Sequence, residues 1–164
     1  MKKNSLEFRV ITSYPEMFPG TLEYSLIGKA LKNDLWKLKI INLRDFGEGK
    51  HKKIDDTPAG GGDGMILKAN VVSKSIIETC KDLDLKDKKN RLIYLSPKGK
   101  RFDQKYAKKL SKKKVITIFC GKFGGIDERI FKKHPIDEIS IGDYILNGGE
   151  TACQIIIETI VRLL

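Results

Sequence analysis

Val115-Ile116-Thr117-Ile118-Phe119 is a run of five strand-forming residues with almost no polar alternation. Such a strand has no face to offer water, so it must lie inside a sheet covered on both sides, as parallel sheets between helices are. The rest of the chain supplies the cover. Phe8 to Ser13 reads as a first strand ended by Pro15, and Leu22, Leu26, Ile27, Ala30 and Leu31 recur at helical spacing up to about Asn33. Leu38 to Leu43, Arg91 to Leu95 and Ile136 to Ser140 read as further strands. Lys68 to Lys81, Gln104 to Leu110, Glu128 to Lys133 and Glu150 to Leu164 read as helices. Strands alternating with helices predict an α/β fold, a mainly parallel sheet flanked by helices. At 164 residues the chain is long enough for one core, and residues 1–164 read as a single domain.

The net charge is +11, and the excess is uneven. Lys98, Lys100, Arg101, Lys105, Lys108, Lys109, Lys112, Lys113 and Lys114 are answered in that interval only by Asp103. Such a surface attracts polyanions, although a solvated helix face gives the same pattern. Cys80, Cys120 and Cys153 are widely spaced in apolar segments and read as buried thiols in a reducing cytosol. Neither His51 nor His134 stands at metal-ligand spacing from them, so no zinc site is expected. Glu7, Arg9 and Pro15 break the start of the chain, and Glu158 and Arg162 break its last apolar run, so neither a signal peptide nor a membrane span is expected.

Three segments carry glycines after strand-like runs: Tyr94 to Gly99, Cys120 to Gly125, and Ile141 to Gly149. In open α/β sheets ligands bind beyond the carboxyl ends of the strands, so these segments are the candidate lining of a small-molecule pocket. The stretch from Arg44 to Gly64 has no periodicity and carries six glycines, which marks a long functional or mobile loop. Its Pro58-Ala59-Gly60-Gly61-Gly62-Asp63-Gly64 segment could form an anion nest, but it lacks the Gly-Lys-Ser/Thr ending of a P-loop. Asp55 and Asp56 could form a metal or acid/base pair but read first as turn formers, and His51 among lysines is a loop contact before it is a catalyst. Asp127, Glu128 and Glu150 stand where acidic groups complement helix amino termini. Arg162 interrupts an apolar helix and must lie at an edge or serve a function.

Longer motifs are more specific. Tyr14-Pro15-Glu16-Met17-Phe18, Arg44-Asp45-Phe46, His51 to Asp56, Pro58 with Gly60-Gly61-Gly62, Tyr94-Leu95-Ser96-Pro97, Gly125-Ile126-Asp127-Glu128-Arg129 and Ile141-Gly142-Asp143-Tyr144 follow one another in this order. In that order the chain resembles bacterial tRNA (guanine-N1)-methyltransferases over nearly its whole length. The resemblance implies a SPOUT-type α/β fold with a trefoil knot, a homodimer whose interface adjoins the pocket, and a cytoplasmic enzyme. The implied reaction moves a methyl group from S-adenosylmethionine to N1 of the tRNA guanosine 3′ of the anticodon, with Mg²⁺ left open. By position, the cofactor would meet Tyr94, Leu95, Ser96, Pro97, Gly99, Gly121, Ile141, Gly142, Asp143, Tyr144, Ile145, Leu146, Gly148 and Gly149. His51 and Asp55 would face tRNA, and Arg162 would stabilise charge on the guanine O6.

The chain also departs from the family pattern. The family's general base, an aspartate opening a tRNA-gripping helical domain, falls beyond the position of Leu164, so that domain is expected to be absent and catalysis by these residues alone incomplete. Ala59 stands where an aromatic is expected, Asp63 where a small residue or Pro is, and Gly124 where the family carries a glutamate near the cofactor. Loss of that carboxylate predicts S-adenosylmethionine affinity weaker by about 1 to 2 kcal/mol. The alternative reading is a non-catalytic RNA-binding or dimer-scaffold descendant of the enzyme. Against it stands the glycine placement in Ile141 to Gly149, which on sequence alone has no purpose without a cofactor.

Overall fold

The computed structural model describes residues 5–58, 60–61, 64–122 and 124–164. Its centre is a five-stranded, all-parallel sheet in the order β2-β1-β6-β5-β7, where β1 is Leu6–Thr12, β2 Trp36–Asn42, β5 Asn90–Arg101, β6 Val115–Phe119 and β7 Ile136–Ser140. The short strands β3 (Asp55–Asp56) and β4 (Ile66–Leu67) form a separate antiparallel pair. The expected α/β class is the observed one, and β6 and β7 fall on the residues expected for them.

Every residue of β6 is buried, because it lies between β1 and β5 with helices on both faces. On one face Phe8, Val10, Ile93, Leu95, Ile116 and Ile118 pack with residues of α1 (Ser25–Lys32), α3 (Gln104–Leu110) and α5 (Gly149–Val161). On the other, Ile11, Leu92, Tyr94 and Phe119 pack with α2 (Ala69–Thr79) and α4 (Arg129–Lys133). Neighbouring residues of β5 thus serve opposite cores, the period-two alternation of a strand. Cys80, Cys120 and Cys153 are free and buried. Among the described residues no helix is long and apolar enough to cross a membrane.

Most other elements differ from expectation by a few residues at their ends, and two differ in form. The periodic stretch from Leu22 is broken before its helix begins: Gly20–Glu23 is a 3-10 turn, and Ser25, the first residue of α1, takes a left-handed conformation (φ 56°) that resets the chain direction between the two. Strand β5 does not stop at Leu95. After a register shift between Leu95 and Lys100, Lys100 and Arg101 pair again with Ile139 and Ser140 of β7. Gly99 permits this, since a side chain there would meet the backbone of Glu138 and Ile139.

A buried guanidinium ties β1 to the end of α2. Arg9, 5% exposed, donates to both carboxylate oxygens of Asp82 (2.5 and 2.7 Å), to Glu7 (2.6 Å) and to the Thr79 carbonyl (2.6 Å). The Arg9 hydrogen bonds lower the Asp82 pKa from 3.8 to about 2. A depressed acid contributes stability that is complete above its ordinary pKa and is lost as pH falls through its folded pKa. Asp82→Asn is therefore expected to cost about 1 kcal/mol at pH 7, once solvent screening of the exposed carboxylate is allowed for. The difference from the parent should vanish as pH falls from about 4 to 2, which paired chemical denaturation at the two pH values checks.

Candidate functional site

The carboxyl ends of β1, β5, β6 and β7 gather the segments singled out in the sequence. The segment after β6 is fixed from two sides. Gly149 N–H donates to the Gly121 carbonyl (2.9 Å), joining the start of α5 to the end of β6. A Cβ at Gly149 would stand 2.8 Å from Gly121 N and 2.9 Å from Cys120 Cα, both backbone atoms that cannot swing aside. The glycine is therefore required by packing within the chain, whatever binds above it. That corrects the expectation that glycine placement in this loop has no purpose without a cofactor.

Glu150, in the first turn of α5, is 3% exposed. It does more than complement the helix dipole: it accepts a hydrogen bond from Thr12 Oγ1 (2.8 Å), and Thr12 Oγ1 in turn accepts from Tyr14 N–H (3.0 Å). The end of β1 is thereby tied to the amino terminus of α5. Lys122 Nζ lies 4.7 Å from the centre of the Tyr14 ring, a cation-π contact beside this tie. The role of Lys122 was not read from sequence, because its partner Tyr14 lies far away in the chain.

The glycine-rich loop is tied to the same place. Gly124 N–H donates to the Met65 carbonyl (2.8 Å), and Leu67 N–H donates to the Gly125 carbonyl (3.1 Å). Lys68 closes its base, pairing with Glu48 at 2.8 Å and Asp56 at 3.9 Å, while Glu48 also accepts from Asn70. The Lys68 hydrogen bond holds the Glu48 carboxyl below its usual range. Within the loop Asp55 is half-buried in β3 and His51 is exposed. Ala59, Gly62, Asp63 and Phe123 lie outside the described residues, so the expected departures at Ala59 and Asp63 have no structural account. Gly124 is exposed, its backbone engaged by Met65. Asp127 accepts from Arg129 N–H (2.9 Å) and from its guanidinium (2.6 Å), which lowers its pKa to about 2; Asp127, rather than Glu128, caps the turn into α4.

A cavity of about 220 Å³ opens between the bulged part of β5 and the end of β7. Pro97, Gly99, Gly142 and Asp143 line it, joined by Arg101 and Ser140, which the sequence reading had not placed in the pocket. Ser140 Oγ donates to the Gly142 carbonyl (2.9 Å) and lies 3.2 Å from Gly142 N–H, which fixes the turn. Beyond it Tyr144, Ile145 and Leu146 are exposed, Ile145 at 86%. Ser96 and Ile141 are partly buried at its edge in sequence. Tyr94 and Leu95 do not line this cavity; each is 5% exposed, on opposite faces of the sheet, and the Tyr94 hydroxyl and the Leu95 carbonyl stand against Gly121. Burial, with Glu138 adding, raises the Tyr94 pKa to about 12, so the phenol stays protonated; its ring packs edge-on against Phe131. Among the described residues no three His, Cys, Asp or Glu side chains gather as a metal site would need, so nothing there supports Mg²⁺.

Arg162 is exposed and caps the far end of α5. At 1.5 Å per residue it stands roughly 20 Å from Gly149, so one chain does not bring it to the loop at the helix start.

The family described as tRNA (Guanine-1)-methyltransferase TrmD matches this chain over residues 6–164. The chain belongs to that family. Among its relatives, a protein named tRNA (guanine-N(1)-)-methyltransferase from Pelagibacter ubique is 50% identical over 156 residues, 95% of this chain and 66% of its own length. Proteins of the same name from Ehrlichia canis and Cereibacter sphaeroides are 48% and 43% identical over 98% and 100% of this chain. The chain spans just under two thirds of the length of these relatives, 66% in each case. The TrmD-family match includes both the Gly121–Ile126 segment and the Ser140–Asp143 turn, the two places where the structure ties loops together.

Proposed function

We propose that the chain forms the cofactor-holding part of a tRNA (guanine-N1)-methyltransferase that takes its methyl group from S-adenosylmethionine and acts on the guanosine 3′ of the anticodon. The observation that carries this reading is the direct hydrogen bonding of the glycine-rich loop to the Gly121–Ile126 segment through Met65 and Leu67. A loop that meets RNA is thereby registered against one that meets a small molecule, which a transfer between the two requires.

The residues fit the cofactor in kind. The cavity offers backbone groups at Pro97, Gly99 and Gly142, and exposed apolar side chains at Tyr144, Ile145 and Leu146 stand ready to cover an adenosine. Tyr94 and Leu95 support these walls from below. S-adenosylmethionine, when bound, supplies an electrophilic methyl group on a sulfonium leaving group. Guanine N1 carries a proton at neutral pH and becomes nucleophilic only as that proton leaves, with charge moving to O6. Arg162 is the cation assigned to that charge. Its distance from the start of α5 favours a homodimer, in which the arginine of one copy serves the other. The base falls to the family's aspartate, which follows position 164 in the order of the resemblance. The SPOUT-type knot and a cytoplasmic location follow from the same family reading.

The second reading, a non-catalytic RNA-binding or dimer-scaffold descendant, gains from one finding: Gly149 is needed for packing with or without a cofactor. Calorimetry with S-adenosylmethionine separates the two, since only the first requires saturable binding.

The basic segment from Lys98 to Lys114 spans the end of β5 and all of α3. If it contributes about five phosphate contacts, RNA affinity should fall with salt at a slope of about −3 to −4 on a double-logarithmic plot. Replacing Lys105, Lys108 and Lys109 by Gln is expected to flatten that slope by about 2, read by fluorescence anisotropy on a tRNA anticodon stem-loop. A slope unchanged by the triple substitution would remove the segment from the RNA-binding surface.

A further inference from the structure

Lys122 is a cation beside the candidate site for which the methyl-transfer reading has no use. It follows Gly121 just beyond β6, is half-buried, and forms no ion pair among the described residues. Its Nζ is held instead over the Tyr14 ring, 4.7 Å from the centre. An aromatic face steadies an ammonium without neutralising it, so the charge stays open to a further partner.

Glu150 stands across from it, with Gly148 between the two. A Cβ at Gly148 would be 2.5 Å from Glu150 Oε2, 3.3 Å from Lys122 Cδ and 3.4 Å from Lys122 Nζ. The Gly148 backbone is extended (φ −172°), a conformation open to any residue, so it is this space that calls for glycine. Glu150 is 3% exposed; Thr12 Oγ1 donates to its Oε1 (2.8 Å), whereas Oε2 accepts from none of the described residues. A carboxylate oxygen and an ammonium thus flank one gap without closing on each other. Charges withdrawn from water in this way are costly until groups of opposite sign meet them.

The gap is within reach of the 220 Å³ cavity. A Cβ at Gly121 would be 3.1 Å from the Leu95 carbonyl, and Leu95 stands two residues, about 7 Å of strand, before Pro97 in the cavity wall. The hydrogen bond from Gly149 N–H to the Gly121 carbonyl keeps Gly148 at the same place.

Charge decides what fits there. A simple anion is drawn to Lys122 and repelled by Glu150, and a simple cation meets the reverse. A group that carries an ammonium and a carboxylate on one carbon satisfies both sides. We propose that Lys122 and Glu150 select the α-amino-acid end of the cofactor, Lys122 Nζ donating to its carboxylate and Glu150 Oε2 accepting from its ammonium. The inference rests on the reading of the cavity as an S-adenosylmethionine site, and it adds two specificity-determining residues to that site.

Three ligands test it: S-adenosylmethionine, its decarboxylated form, which keeps only the ammonium, and 5′-deoxy-5′-methylthioadenosine, which has neither charge. Calorimetric titration into the full chain should place S-adenosylmethionine about tenfold above the decarboxylated form, the worth of one partly exposed charge-assisted contact. Lys122→Gln should erase that preference and leave methylthioadenosine within about twofold of the parent, while Lys122→Arg should keep most of it. Glu150→Gln, which retains an acceptor for Thr12, should weaken both ammonium-bearing ligands and spare methylthioadenosine. If that variant fails to fold, the half-buried Lys122 pair carries the test alone. A preference for S-adenosylmethionine unchanged in Lys122→Gln would overturn the proposal while the cofactor cavity stands. An equal loss for all three ligands would overturn it as well, by making Lys122 a support of the loop. No binding of any of the three up to about 1 mM would overturn it together with the methyl-transfer reading.

Discussion

Gly149→Val is expected to lower the thermal midpoint by roughly 5 to 10 °C, corresponding to about 2 to 3 kcal/mol for overpacking against fixed backbone. The atoms it meets, Gly121 N and Cys120 Cα, directly follow the fully buried strand β6 and cannot retreat without moving it. The N–H bond from Gly149 to the Gly121 carbonyl would lengthen as well. Gly149→Ala should show a smaller loss in the same direction, since Cβ alone already makes both close contacts. Differential scanning calorimetry of the parent and both variants, without any ligand, measures the effect. Equal midpoints would mean that the tie between α5 and β6 has slack that the structure does not contain.

Gly142→Trp is expected to reduce S-adenosylmethionine affinity by more than about a hundredfold while leaving the fold intact. Gly142 lines the 220 Å³ cavity, and an indole is large enough to occupy much of it. The side chain nearest to its Cβ direction is Tyr144, which is half exposed and free to swing outward, so the substitution need not strain the core. Circular dichroism should be unchanged and the thermal midpoint within about 3 °C of the parent. Unchanged affinity would remove the cavity from the cofactor site even if the family activity stands.

How much of this was legible depends on the range of the interactions involved. Val115 to Phe119 could be placed from composition alone, because a continuous apolar run admits few environments. Gln104 to Leu110 was equally readable, as Asp103 accepts from Tyr106 N–H at 2.7 Å and sets the helix start locally. The continuation of β5 past Pro97 was not, since Pro and Gly in sequence read as a loop while the pairing of Lys100 and Arg101 with β7 is a long-range matter. The loop from Arg44 to Gly64 has no periodicity, and what orders it comes from Lys68 and from Met65 against Gly124, side-chain and backbone partners that no local pattern announces.

The candidate site divides in the same way. Family resemblance brought forward Pro97, Gly99, Gly142 and Asp143, which converge on one cavity. It also brought forward Tyr94 and Leu95, whose place is in the core beneath it, and Arg162, at the far end of α5. Strand alternation decides the first pair: Tyr94 and Leu95 precede the bulge, so each must face one of the two helical layers. Arg101 and Ser140 were missed because each becomes a wall only through the register of β5 on β7.

The most direct test of the central claim is calorimetric titration of S-adenosylmethionine into the 164-residue chain. Saturable binding at one site per chain, lost in Gly142→Trp, is the result expected of a working cofactor domain. No heat of binding up to about 1 mM, a free energy weaker than about −4 kcal/mol, would contradict it and leave the scaffold reading in its place.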